Sequence, residues 1–218
     1  MTSNDTGRRR PPQGEVDFTF MYAGHDAFNR DLRRLSTAIR AGRAGDPAVR
    51  TGWETFKHQL HIHHTVEDEA LWPPLRAKVR RPTEVGLLDA MEAEHALIDP
   101  LLSQVDAALA VGDAAGPAAS ADELAATLAA HMEHEEAEAL PLVETYLGAE
   151  GWQAFGAAIR KRQGLKGAAE FLPWLLDDAS AELTRRVLGE LPMPARLLYR
   201  ARWQPAYART PRWNAATA

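Results

Sequence analysis

A chain of 218 residues is long enough to bury a sizeable core, as one domain with an appendage or as two small domains. With no cysteine it has no disulfide, thiolate ligand or iron–sulfur cluster, which leaves imidazole and carboxylate to hold a metal such as iron, manganese or zinc. The net charge of −5 gives no general attraction to nucleic acid, and none is expected as a partner.

Residues 1–16, rich in Arg, Pro, Gly and small polar residues, read as a disordered tail. Arg8, Arg9 and Arg10 followed by Pro11 and Pro12 lack the apolar run of a signal peptide. No later segment approaches the roughly 18 uninterrupted apolar residues of a transmembrane helix, so the expected location is the cytoplasm.

Residues 17–147 carry four amphipathic patterns with apolar positions at alternating steps of three and four. The first is Phe18, Met21, His25, Phe28, Leu32, Leu35, Ile39 and the second Trp53, Phe56, Leu60, His63, Glu67, Ala70. The third, Leu88, Met91, His95, Ile98, Leu102, Val105, Leu109, repeats the spacing of the first with the histidine in the same slot. The fourth is Leu124, Leu128, His131, Glu135, Leu142. Breakers separate them at Gly42 to Pro47, Arg81-Pro82-Thr83 and Gly112 to Pro117. Connections this short favour antiparallel neighbours, so the predicted fold is all-α, an up-down-up-down four-helix bundle.

The second and fourth patterns share their chemistry. His63-x-x-x-Glu67 is followed by Pro73, and His131-x-x-x-Glu135 by Pro141, all three landmarks recurring 68 residues on. Each is preceded by a partner histidine, His25 or His95, so the chain contains a duplicated ligand set. Two ionised carboxylates and four imidazoles are an expensive filling for a bundle core, at several kcal/mol for each unpaired buried charge, and a bound cation reverses that sign. At i,i+4 a histidine and a glutamate lie one above the other on one helix face. If both carboxylates and one oxo or hydroxo group bridge two octahedral metals, about ten of about twelve coordination positions are filled and about two stay open.

The other histidines fall off these stripes. His134 and Glu138 have the same spacing, but His134 sits about 60° from the stripe of His131 and has no counterpart in the first half. It reads as a solvated residue or one that supports a ligand, and His58, His61 and His64 read as surface histidines. Tyr22, one turn before His25, reads either as a packed core side chain or as a group reaching the metals. Trp53 and Trp72 read as packing.

The order His25, then His63-x-x-x-Glu67 within HHTVEDEALWPPL, then Glu94-His95, then His131-x-x-x-Glu135 within HMEHEEAEALPL, resembles the hemerythrin-like, HHE cation-binding domains over residues 17–147. The resemblance implies a four-helix bundle around a non-haem di-iron centre, two iron ions with an oxo or hydroxo bridge. His25, His63, Glu67, His95, His131 and Glu135 would be its metal ligands. The oxygen-carrying hemerythrins have a further histidine where this chain has Asp99, and an aspartate where it has Glu136. Asp99 then either supplies an oxygen or faces a neighbouring helix.

Residues 148–204 read as three or four short helices packed on the bundle, because Trp152, Phe155, Phe171, Trp174 and Leu175 need cover. Docking there would bring Arg196, Arg200 and Arg202 toward the bundle's carboxylates. Residues 205–218 read as a basic aromatic tail. The resemblance implies a protein that binds or senses dioxygen, nitric oxide or peroxide. A di-iron oxidoreductase turning over peroxide or nitric oxide, or an iron-handling protein, are the alternatives, so enzymatic activity stays open.

Overall fold

Short polar caps and prolines decide where the helices start and stop. The computed structural model describes residues 14–111 and 115–213 and is all-α. Helix α1 (Thr19–Arg40) starts where the Asp17 carboxylate accepts from the Thr19 N–H at 2.9 Å, and ends before Gly42, whose φ of +71° only glycine adopts at low cost. Helix α2 (Pro47–Ala70) has Asp46 as its cap and Pro47 in its first turn, where the missing N–H costs nothing. After a short α3 (Trp72–Arg76) come α4 (Pro82–Val111) and α5 (Ala115–His134). Four of these, with the turn that follows α5 at Glu135, carry the ligand set: α1 touches α2, α2 touches α4, α4 touches α5 and α5 returns to α1.

Proline marks the repeated motif in the backbone. Pro141 has no N–H to donate to the carbonyl four residues back, and the helix ahead of it widens into a π-helical turn, Glu135–Ala139, before resuming as α6 (Leu140–Tyr146). Its counterpart Pro73 stands at the break between α2 and α3. The same device recurs where the π-helical turn Tyr199–Trp203 precedes Pro205.

The core is divided in two. One apolar cluster takes Phe28, Leu35 and Ile39 from α1, Trp53, Phe56 and Leu60 from α2, Ile98 and Val105 from α4, and Leu124 and Leu128 from α5. The other takes Met21 from early α1, Val66 from late α2, Leu88 and Met91 from early α4, and Leu140 and Val143 from α6. Successive helices thus enter the two clusters in opposite order. His25, His63, Glu67, His95, His131 and Glu135 occupy the stretches between.

Beyond the bundle, α7 (Gly148–Leu175) lies against α2 and α1. It is two helices meeting at a kink at Gly164, whose φ is +59°, in keeping with the shorter helices expected here. Helices α8 (Ala181–Glu190), α9 (Met193–Leu198) and α10 (Gln204–Ala208) complete the fold. Trp174, Tyr199, Trp203 and Trp213 join the first apolar cluster. The anchoring charges differ from expectation. Arg30 and Arg34 of α1 reach out, Arg30 to the Trp174 and Asp177 carbonyls at 2.9 and 2.8 Å and Arg34 to Asp177 at 2.6 Å. Arg196 instead donates to the carbonyls of Leu191 and Gly189 in its own segment, because its short reach from α9 meets those carbonyls first. Arg200 and Arg202 are exposed.

The tail reading of residues 1–16 falls mostly outside the described residues, but Val16 is buried and its N–H donates to Glu144 at 3.3 Å. The end of the basic aromatic tail, residues 214–218, also lies outside them. Trp213 is held by its N–H to Ala48 O at 2.9 Å and by Arg43 on its own carbonyl at 2.7 Å, in a left-handed conformation with φ of +63°. Its ring rests on Gly52, where a Cβ would lie 2.4 Å from Cε2. Gly52→Ala must therefore displace the ring, and we expect a loss of about 1–3 kcal/mol in urea denaturation. An unchanged midpoint would show that Trp213 does not hold this position.

Candidate metal centre

His25, Glu67 and Glu135 are 0% exposed, His131 2% and His95 6%, and His63 is half-buried. Three of the histidines have their outer nitrogen fixed by a carboxylate from the neighbouring helix. Asp68 of α2 lies 2.9 Å from His95 Nδ1 on α4. Glu94 of α4 lies 2.8 Å from His131 Nδ1 on α5. Glu136, in the π-helical turn, lies 2.7 Å from His25 Nδ1 on α1. An ionised carboxylate only accepts, so each Nδ1 donates, and in the neutral ring each Nε2 then points inward as a bare lone pair.

Those inner nitrogens approach one another. His95 Nε2 and His131 Nε2 are 3.1 Å apart, and His25 Nε2 and His63 Nε2 are 3.3 Å apart. With both Nδ1 atoms donating outward, the first pair sets two acceptors face to face. Glu67 spans the two pairs, Oε1 at 3.1 Å from His63 Nε2 and Oε2 at 3.6 Å from His95 Nε2. Glu135 Oε2 lies 3.1 Å from His25 Nε2. Despite this proximity none of the four carboxylate oxygens of Glu67 and Glu135 is aligned with a hydrogen-bond donor. The nitrogens and oxygens aim at shared points between them.

The electrostatics of the metal-free chain carry the same strain. Burial, reinforced by the charge of Glu135, pushes Glu67 well above the usual carboxylate range. Burial and then the neighbouring imidazoles hold His63 and His64 well below the ordinary histidine value, and burial followed by His95 lowers His131. Burial also acts to depress His25, but the Glu135 and Glu136 carboxylates outweigh it and raise it to about 9. Two sets of three donors each lie within 4.8 Å of one another: His25, His63 and Glu135, and His64, His95 and His131. Hard and borderline donors in buried, convergent sets suit a divalent first-row cation.

Residues 16–143 match the family described as Hemerythrin HHE cation binding domain. The chain belongs to that family. Curated proteins and solved structures gave no match. Membership in a cation-binding HHE family agrees with the convergence of unpaired donors in this core.

All six residues of the duplicated set are thus brought together. His58, His61 and Asp99 are exposed. His134 Nδ1 shares Glu94 with His131 at 2.8 Å, which makes it a supporting residue. The ring of Tyr22 packs edge-on to Phe18 with centroids 6.3 Å apart. His64 departs from its surface reading: its ring stacks on His95 at 4.0 Å. Residues 63 and 64 point about 100° apart, and α2, wedged between α1 and α4, buries a wider arc than one stripe. The supporting carboxylates Asp68, Glu94 and Glu136 were not read from the sequence as partners of the histidines, although each adjoins a ligand position, which is the signal that could have found them.

Because buried, unpaired carboxylates destabilise the metal-free state, Glu67→Met, similar in volume, should stabilise the chelator-treated protein by about 1–4 kcal/mol in urea denaturation. A less stable variant would mean that Glu67 is satisfied without a cation.

Proposed function

We propose that His25, His63, Glu67, His95, His131 and Glu135 hold two iron ions, with the two carboxylates between them, and that the pair binds or senses dioxygen, nitric oxide or peroxide. The observation that carries this reading is the pair of inward Nε2 lone pairs of His95 and His131, 3.1 Å apart in a dry layer with four unpartnered carboxylate oxygens. A single ion leaves part of that set unsatisfied, since Glu67 presents one oxygen to each histidine pair. Iron would supply a reversible change of oxidation state and open coordination positions for a small ligand.

The surrounding residues define what the site accepts. Apolar clusters flank the site on either side, and His25, Glu67 and Glu135 are fully buried, which disfavours a large substrate. A diatomic molecule or peroxide is small enough to enter with side-chain motion alone. Asp68, Glu94 and Glu136 hold the ring tautomers and keep the inner nitrogens available. The oxidoreductase alternative uses the same residues and differs only in whether the ligand leaves unchanged. A store is the poorer reading, because two ions per chain is a small capacity. Among the described residues no helix is long and apolar enough to cross a membrane.

Metal analysis of anaerobically purified protein should give close to two irons per chain. Glu67→Ala and Glu135→Ala should lower that ratio sharply, and Asp99→Ala should not. A visible charge-transfer band growing in air without peroxide loss supports binding, whereas catalytic peroxide loss selects the oxidoreductase. Full iron content in Glu135→Ala would overturn the assignment. Chelation should lower Tm while helical circular dichroism persists, since both apolar clusters remain; at free iron about 100-fold above Kd the bound metal contributes about 2.7 kcal/mol. Equal melting with and without metal would contradict a ligand role for these residues.

A further inference from the structure

The donor set contains a member that the duplicated motif does not supply. His64 stands next to His63 on α2, and the position equivalent to it in the second half is Met132, a buried apolar residue. His64 Nε2 is buried and has no hydrogen-bond partner. Its ring stacks on His95 with centroids 4.0 Å apart and planes 14° from parallel, and meets His131 edge-on at 5.5 Å. We propose that His64 is a seventh metal ligand, joining His95 and His131 on the second ion while His25 and His63 serve the first.

This rests on the two-metal reading and deepens it. The donor atoms of His64, His95 and His131 all lie within 4.8 Å of one another. Adjacent nitrogens about 2.1 Å from one cation would stand about 3.0 Å apart, close to the 3.1 Å between His95 and His131 Nε2, and His64 would turn from its stacked position to join them. A packing role explains the position less well. A buried imidazole nitrogen with no partner costs about 1–3 kcal/mol, which an apolar side chain such as Met132 avoids while filling the same space.

The assignment makes the centre lopsided. Three imidazoles on one ion and two on the other, with the carboxylates shared, leave the ion beside His25 and His63 with fewer protein ligands. The flanking residues break the repeat in the same sense: Glu94, which fixes His131, is replaced in the first half by Gly24, buried and with no atom within 4 Å of where a Cβ would lie.

The test uses the full chain loaded with ferrous iron. Metal analysis and Mössbauer spectra are compared for wild type, His64→Ala and His64→Phe, the last retaining a stacked ring should the alanine variant fail to fold. Wild type should show two irons in inequivalent environments. Both variants should lose one iron or bind it 10- to 100-fold more weakly, and free imidazole added to His64→Ala should restore occupancy and spectrum. Two irons in each folded variant with unchanged spectra overturn the His64 assignment while leaving the two-metal reading intact. Wild type holding fewer than two irons overturns both. Loss of iron that imidazole does not restore in folded His64→Ala, with full occupancy in His64→Phe, would mark His64 as a packing residue and also overturn the assignment.

Discussion

Everything in this fold is arranged around a layer of buried carboxylates and imidazoles whose ionised forms the surrounding side chains compensate only in part. Glu67 and Glu135 are sealed from water with no aligned donor, and the histidines beside them present lone pairs. At several kcal/mol for each buried carboxylate, such a layer is compatible with a net stability of about 5–15 kcal/mol only if the apolar clusters on both sides are large or a cation is present. Both features are supplied. The clusters make the layer survivable without metal, and the convergent donors make it favourable with one.

Three outer carboxylates turn that layer into a defined geometry. Asp68, Glu94 and Glu136 each reach across a helix boundary, so every outer hydrogen bond also ties one bundle helix to the next: α2 to α4, α4 to α5, and the π-helical turn to α1. Tautomer and helix spacing are therefore set by the same contacts. The π-helical turn contributes directly. It begins at Glu135, and the widening ahead of Pro141 belongs to the segment that presents Glu135 inward and Glu136 toward α1. A straight α-helix would hold these adjacent carboxylates about 100° apart with no such freedom.

The six repeated residues were legible because duplication is visible as spacing. His25, His63, Glu67, His95, His131 and Glu135 all interrupt apolar stripes, and a stripe on a helix is a statement about one direction in space. His64 was not legible for the same reason. It lies off the stripe of His63, and only the packing of α2 between two bundle neighbours shows that the buried arc is wide enough to include both. Asp99 illustrates the converse: it is one turn beyond His95, yet it is exposed, and spacing alone left it two inward roles. In α7 one of the expected breakers acts, and two helices meet there. Gly164 does break the helix, but the other breakers are tolerated because the flanking Phe155, Leu172 and Trp174 are buried, and tertiary burial outweighs local propensity.

The segment after the bundle fastens to one side of the centre. Trp174 Nε1 donates to the buried Asp31 at 2.7 Å, and Arg30 beside it holds the carbonyls at the end of α7, less than two turns from His25 on α1. On α2, Gln163 bonds Gln59 at 2.9 Å and Arg162 pairs with Glu69 at 2.9 Å, positions that bracket His63, His64 and Glu67. The exposed Arg162–Glu69 pair contributes little to stability, but Asp31 is buried, and burial, the dominant influence, raises it above its usual range even against Arg30. A carboxylate kept at that cost is worth having only if its geometry matters. Here it fixes the rotation of α1, and hence the direction of His25, against a helix that also braces α2. The helices that carry His25, His63, His64 and Glu67 are thus the two held by α7.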